Sequence, residues 1–161
     1  MQVRVATTDD LPSVAAIYDH EVTASVSTFD LEPRPATYWQ DRLASREPGD
    51  HLLVATEGEV VLGFAYSSAY RPRPGFRHTR ETSIYLHPEA RGRGVGRRLY
   101  AELLGLLEDD GVHSVLAIVA LPNDASERLH VAAGFEKVGV MREVGWKFGR
   151  WIDVAWYQLH P

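Results

Sequence analysis

The chain passes from a strand into a helix through Arg91-Gly92-Arg93-Gly94-Val95-Gly96-Arg97-Arg98, and no other segment restricts the fold as much. Before it, Glu81-Thr82-Ser83-Ile84-Tyr85-Leu86-His87 has strand composition and is closed by Pro88. After it, Leu99, Leu103, Leu106 and Leu107 place an apolar stripe on a helix running from Gly94 to Asp110. Glycines in such a turn let backbone N–H groups approach an anion closely, and the helix start adds its partial positive charge. A pyrophosphate is the natural guest, although a flexible turn that merely starts a helix has the same glycines. Spacing excludes two phosphate motifs. A P-loop ends in Gly-Lys-Ser/Thr, whereas Gly96 is followed by Arg97; a dinucleotide fingerprint needs a glycine three residues after Gly94, where Arg97 again stands.

The flanking patterns predict mixed α and β elements. Residues 2–6 alternate as a short strand, and Thr8, ahead of Asp9 and Asp10, is placed to cap a helix carrying Leu11, Val14, Ile17 and Tyr18. A second helix follows Pro35, with Tyr38, Trp39 and Leu43 on one side, and segments 51–57 and 60–69 form a hairpin about Gly58. Residues 113–120 are a nearly continuous apolar run, as expected of a strand buried on both faces. A short helix from Asp124 to Ala133 ends at Gly134, and 135–140 and 154–159 supply the last strands. This order predicts one α/β domain over residues 1–161, a mixed and mostly antiparallel sheet with helices on both faces.

Composition narrows the chemistry. No cysteine is present, which removes disulfides, thiolate metal sites and a cysteine-bound intermediate. The seven histidines include no His-x-x-x-His pair, so no metal site is expected. A formal net charge of -5 argues against a nucleic-acid partner. With no export-like N-terminus and no membrane-length apolar stretch, a cytoplasmic protein without membrane association is expected. The charge is unevenly spread: residues 71–98 hold eight arginines against Glu81 and Glu89, a local net of +6. That segment reads as a compact cationic patch suited to small anions.

Arg91-x-x-Gly94-x-Gly96 resembles the pyrophosphate loop of the GNAT N-acetyltransferases, which use acetyl-coenzyme A. Asn123 after the apolar strand and Ser126-Glu127-Arg128-Leu129-His130 through Gly134-Phe135 are similar to the same family. Glu81 to Leu86, Leu121-Pro122-Asn123-Asp124, Arg128-Leu129-His130 and Val144 to Asp153 narrow the resemblance to phosphinothricin and methionine sulfoximine acetyltransferases, over nearly the full length. The most specific piece is the C-terminal Gly145-x-Lys147-Phe148-Gly149-x-Trp151-x-Asp153.

The resemblance implies a GNAT fold, acetyl-CoA as co-substrate without a metal, a small-molecule amine as acceptor, and a homodimer. It puts the thioester beside Ile84, Tyr85 and Leu86, where the Leu86 N–H could stabilise the oxyanion, and gives the pyrophosphate to Arg91, Gly92, Arg93, Gly94, Val95, Gly96 and Arg97, with Asn123 also on the cofactor. Glu81 and Thr82 point to opposite faces of their strand, so one of them must face the pocket. By pattern alone Glu81 reads more readily as a solvated strand-end carboxylate; the resemblance reverses that and assigns it as general base. His130 stands where many of the superfamily carry a tyrosine that protonates the leaving thiolate, and the resemblance makes it the second catalytic residue. Tyr70-Arg71-Pro72 matches an aromatic-Arg-Pro loop and makes Arg71 the carboxylate anchor, while Arg73 departs from the expected apolar residue. Pro72, Arg73, Thr82 and Ser83 complete the acceptor set. Phe29 is either a pocket wall or ordinary core, and the aromatics from Trp146 to Trp156 either complete a partner subunit's pocket or form a well-packed edge of the core. The expected reaction is direct acetyl transfer, in a ternary complex, to the α-amine of a small amino-acid analogue. The rivals are acetylation of a polyamine, an aminoglycoside or a protein N-terminus, and a coenzyme A binding module without turnover.

Overall fold

The computed structural model describes residues 1–161. Seven strands form one sheet: β1 (Gln2–Val5), β2 (Leu52–Glu57), β3 (Val60–Ala69), β4 (Thr79–Leu86), β5 (Ser114–Ala120), β6 (Glu136–Lys147) and β7 (Arg150–Leu159), in the order β1-β2-β3-β4-β5-β7-β6. Every neighbouring pair is antiparallel except β4 and β5. Four helices cover it: α1 (Leu11–Ala24), α2 (Ala36–Ala44), α3 (Val95–Asp109) and α4 (Asp124–Ala132). None is long and apolar enough to cross a membrane.

Period-two alternation sorts the sheet into two cores. Along β2, Leu53 and Ala55 join Leu99, Leu103 and Leu107 of α3, while Leu52 and Val54 join Val14 and Ile17 of α1 and Trp39 of α2. Helices therefore lie on both faces, as the sequence predicts. Three local expectations change. A 3₁₀ turn over Thr8–Asp10 precedes α1, and Thr7 rather than Thr8 holds its entry, donating from its N–H (2.7 Å) and hydroxyl (2.9 Å) to Asp10. Arg4 also grips that carboxylate and, with Thr7, holds it down at about 2. Strand β5 is not buried on both faces, because Ile118 is 41% exposed. The last two strands are longer than expected and meet in a tight turn at Phe148-Gly149, where both residues have positive φ.

Candidate active site

Strands β4 and β5 pair in parallel over only three residues, Thr79 to Glu81 against Ser114 to Leu116. Beyond them β5 pairs only with β7 on its other side, and the two strands separate. The split opens a cavity of about 510 Å³. It meets β4 edge-on, so Glu81, Thr82, Ser83, Ile84, Tyr85 and Leu86 all line it. The expectation that Glu81 and Thr82 compete for the pocket is thereby corrected: alternation divides the faces of a strand but not its free edge. The N–H of His87 donates to Leu62 O of β3. Antiparallel alternation then turns the Leu86 N–H away from β3, toward the edge that β5 has left.

Glu81 is half-buried in this cavity, and burial raises its pKa while the nearby Arg71 charge partly lowers it. A carboxylate in that position is a stronger base than an exposed one. Arg71, Pro72 and Arg73 do not line the cavity; they are exposed, and the Arg71 guanidinium lies 5.0 Å over the Tyr70 ring. In this structure Arg71 acts on Glu81 through space. Arg71→Ala removes the influence that lowers the Glu81 pKa, so the acid limb of the pH–rate profile should move to higher pH. A limb that stays in place would uncouple the two residues.

His130 is buried, and its Nδ1 lies 2.7 Å from the Ser126 carbonyl, which can only accept. Nδ1 therefore carries the proton, and Nε2 accepts from the Tyr100 hydroxyl at 2.7 Å. The imidazole ring stacks on Tyr157. Burial lowers the His130 pKa, partly offset by the Ser126 carbonyl, and desolvation raises that of Tyr100. Both line the cavity, so its second proton-carrying unit is a tyrosine–histidine pair. The sequence hid Tyr100 within the leucine stripe of α3, where an aromatic reads as core.

The glycine-rich turn borders the same cavity through Arg91. Gly92 and Gly94 have φ of +74° and +78°, with open space where a Cβ would stand. Gly94 caps α3, which leaves the first N–H groups of the helix without intrahelical acceptors. Val95 is buried, and Gly96 packs beside Leu129 and Ile84. Asn123 lines the cavity while its Oδ1 caps α4 by accepting from Ser126 N at 3.1 Å. The expected cationic patch is weaker than its charge sum. Arg80 is buried against Pro48 O and Asp50, Arg91 pairs with Glu21, and Arg93 pairs with Glu57 at 2.9 Å. Arg97 remains exposed with no ion pair.

The opposite wall is the segment after α1. Phe29 lines the cavity, and its ring lies so close to Gly145 that a Cβ there would be 2.1 Å from Cε1. Lys147, also buried, donates to Thr28 O at 2.7 Å and approaches Glu21 O at 3.4 Å. The Tyr18 hydroxyl reaches Thr28 (2.8 Å) and Asp30 (2.6 Å). Phe29 is thus a pocket wall, and the Gly-x-Lys motif is its brace. Behind Phe29 and Ile118 lies a second, apolar cavity of about 440 Å³ under Met141, Val144, Trp146, Val154 and Trp156. The expectation of a well-packed aromatic edge is corrected, since Trp146 and Trp151 are 51% and 58% exposed. Strand β6 ends the sheet order, so no strand of this chain pairs with its outer edge.

A model of the acetyltransferase (GNAT) family matches residues 14–135. The phosphinothricin N-acetyltransferase of Streptomyces coelicolor is 44% identical over 98% of this chain and 95% of its own. The L-methionine sulfoximine/L-methionine sulfone acetyltransferase of Salmonella typhimurium is 38% identical over 99% and 94%. Among solved structures, a ribosomal-protein-alanine N-acetyltransferase from Brucella melitensis superposes with a TM-score of 0.94 at 36% identity, covering 100% of both chains. A phosphinothricin acetyltransferase from Sinorhizobium meliloti, in complex with AcCoA, gives 0.93 at 37% identity over 99% and 87%.

Proposed function

Since the chain belongs to the GNAT acetyltransferase family and is an N-acetyltransferase, we propose that it moves the acetyl group of acetyl-CoA to the α-amine of a small amino-acid analogue such as phosphinothricin or methionine sulfoximine. One observation carries this reading: a half-buried carboxylate, an outward strand-edge N–H and a tyrosine–histidine pair share one cavity beside a glycine-rich helix start. The turn fits a pyrophosphate, because Gly92 and Gly94 leave open the space a side chain would fill. Its N–H groups and Arg97 are assigned to the phosphates.

In the proposed reaction both substrates are bound together and no covalent enzyme intermediate forms. Glu81 accepts a proton from the acceptor ammonium, directly or through a water. The nitrogen attacks the thioester carbonyl, the N–C bond forms, and the Leu86 N–H stabilises the oxygen that becomes negative. The C–S bond then breaks. The thiolate takes a proton from the Tyr100 hydroxyl as that hydroxyl turns from His130 Nε2. Of the two protons nitrogen loses on going from ammonium to amide, one leaves through Glu81 to solvent and the other restores the Tyr100–His130 pair. Phe29, Thr82 and Ser83 shape the acceptor site, and Arg71 supplies positive charge that reaches Glu81 from outside it. A cytoplasmic setting suits an acetyl-CoA-dependent reaction. The exposed apolar residues of β6 and of the Phe148-Gly149 turn support the homodimer that the family resemblance implies.

The likeness to a ribosomal-protein-alanine N-acetyltransferase favours one second reading, a peptide N-terminus as acceptor. Thiol release from acetyl-CoA separates the alternatives when phosphinothricin, methionine sulfoximine, ordinary amino acids, an alanine-terminated peptide, a polyamine and an aminoglycoside are compared. Highest kcat/KM with the two analogues is expected. Turnover confined to the peptide or the polyamine overturns the substrate assignment, and acetyl-CoA binding without turnover of any amine overturns the catalytic one.

A further inference from the structure

The Arg91 guanidinium, 54% exposed, is bonded to the Glu21 carboxylate, which is only 4% exposed. The other oxygen of Glu21 accepts from the Ser25 hydroxyl. All three residues line the main cavity. Glu21 stands in the last turn of α1, and its carbonyl is one of the two that Lys147 approaches. A buried carboxylate beside a polyphosphate's path repels it unless a cation is locked to it, and a buried charge stripped of its partner is strongly unfavourable. One basic side chain of the turn is thus tied to the acceptor side of the cavity.

We propose that Arg91 serves first as the counter-ion of Glu21, and that the pair is a positioning device joining the acetyl-CoA turn to the acceptor wall at Ser25–Asp30. The inference rests on the reading that the turn receives acetyl-CoA. Through Glu21 the link continues to Ser25 by a side-chain bond and, from the Glu21 main-chain carbonyl, to Thr28 beside Phe29 by way of Lys147. Removing Arg91 leaves a naked carboxylate facing the phosphates. Removing the Glu21 charge leaves the turn cationic but slackens the wall.

A double-mutant cycle tests this, with acetyl-CoA Kd measured by calorimetry and acceptor KM and kcat measured separately. Arg91→Gln is expected to weaken acetyl-CoA binding about tenfold or more, and the double variant with Glu21→Gln to recover to within about threefold of the wild type. Glu21→Gln alone, which keeps every charge of the turn, should leave the acetyl-CoA Kd within about twofold while acceptor KM rises severalfold at little-changed kcat. A double variant that binds acetyl-CoA no better than Arg91→Gln makes Arg91 an ordinary phosphate ligand and overturns the proposal. So does an unchanged acceptor KM in Glu21→Gln. Wild-type protein that binds no acetyl-CoA would instead overturn the reading of the turn itself.

Discussion

Glu81→Gln should lower kcat/KM at neutral pH by about 10²- to 10⁴-fold while leaving acetyl-CoA binding unchanged. The amide keeps the shape of the side chain but cannot take a proton from an ammonium. Its defect should shrink as pH rises, because the free-amine fraction of the acceptor grows and attacks without a base. The wild type behaves differently: its rate falls as pH drops through the raised Glu81 pKa, since the protonated carboxyl is no longer a base. A variant whose profile parallels that of the wild type at every pH would remove Glu81 from this role. A loss of acetyl-CoA affinity of the same size would make Glu81 a binding residue.

The largest effect on stability should come from Trp39→Ala, at about 3–5 kcal/mol, a fall in Tm of roughly 10 °C. Trp39 is 1% exposed and meets the rings of Tyr18, Tyr38, Phe64 and Tyr66 edge-on at 5.0–5.9 Å. Tyr18 and Tyr66 also line the reaction cavity, so its floor rests on this indole. The indole Nε1 is buried without a hydrogen-bond partner. Trp39→Phe keeps most of the ring and discards that orphaned donor, and should cost less than half as much. Denaturant midpoints compare the two. Equal losses would show that the indole N–H has a partner and that ring volume is not what matters.

Local chemistry made much of this molecule legible in the sequence. Glycine spacing and the leucine stripe of α3 are written in adjacent residues, and they fix where that helix begins and what its turn can approach. Glu81 and His130, distant in sequence, were brought together by resemblance, and the structure puts both on one cavity. What stayed hidden depends on long-range pairing. No local signal says that β4 and β5 part after three residues, yet that parting makes the cavity. Nor does an arginine announce its partner: Arg80, Arg91 and Arg93 counted as free charge until Asp50, Glu21 and Glu57 came beside them. Lys147 and Tyr100 are of the same kind, one a buried cation set among exposed aromatics and the other a hydroxyl concealed in an apolar stripe.

The two bonds from the Lys147 ammonium span 126 and 119 positions of chain. During synthesis, when folding proceeds from the N-terminus, the glycine-rich turn and the carboxylate at residue 81 leave the ribosome long before the lysine that braces Phe29. A nascent chain halted before that lysine would hold most of the acyl-donor half of its site with an unbraced acceptor wall. On the proposed assignment of that wall to the acceptor, the capacity to choose among amines is acquired last.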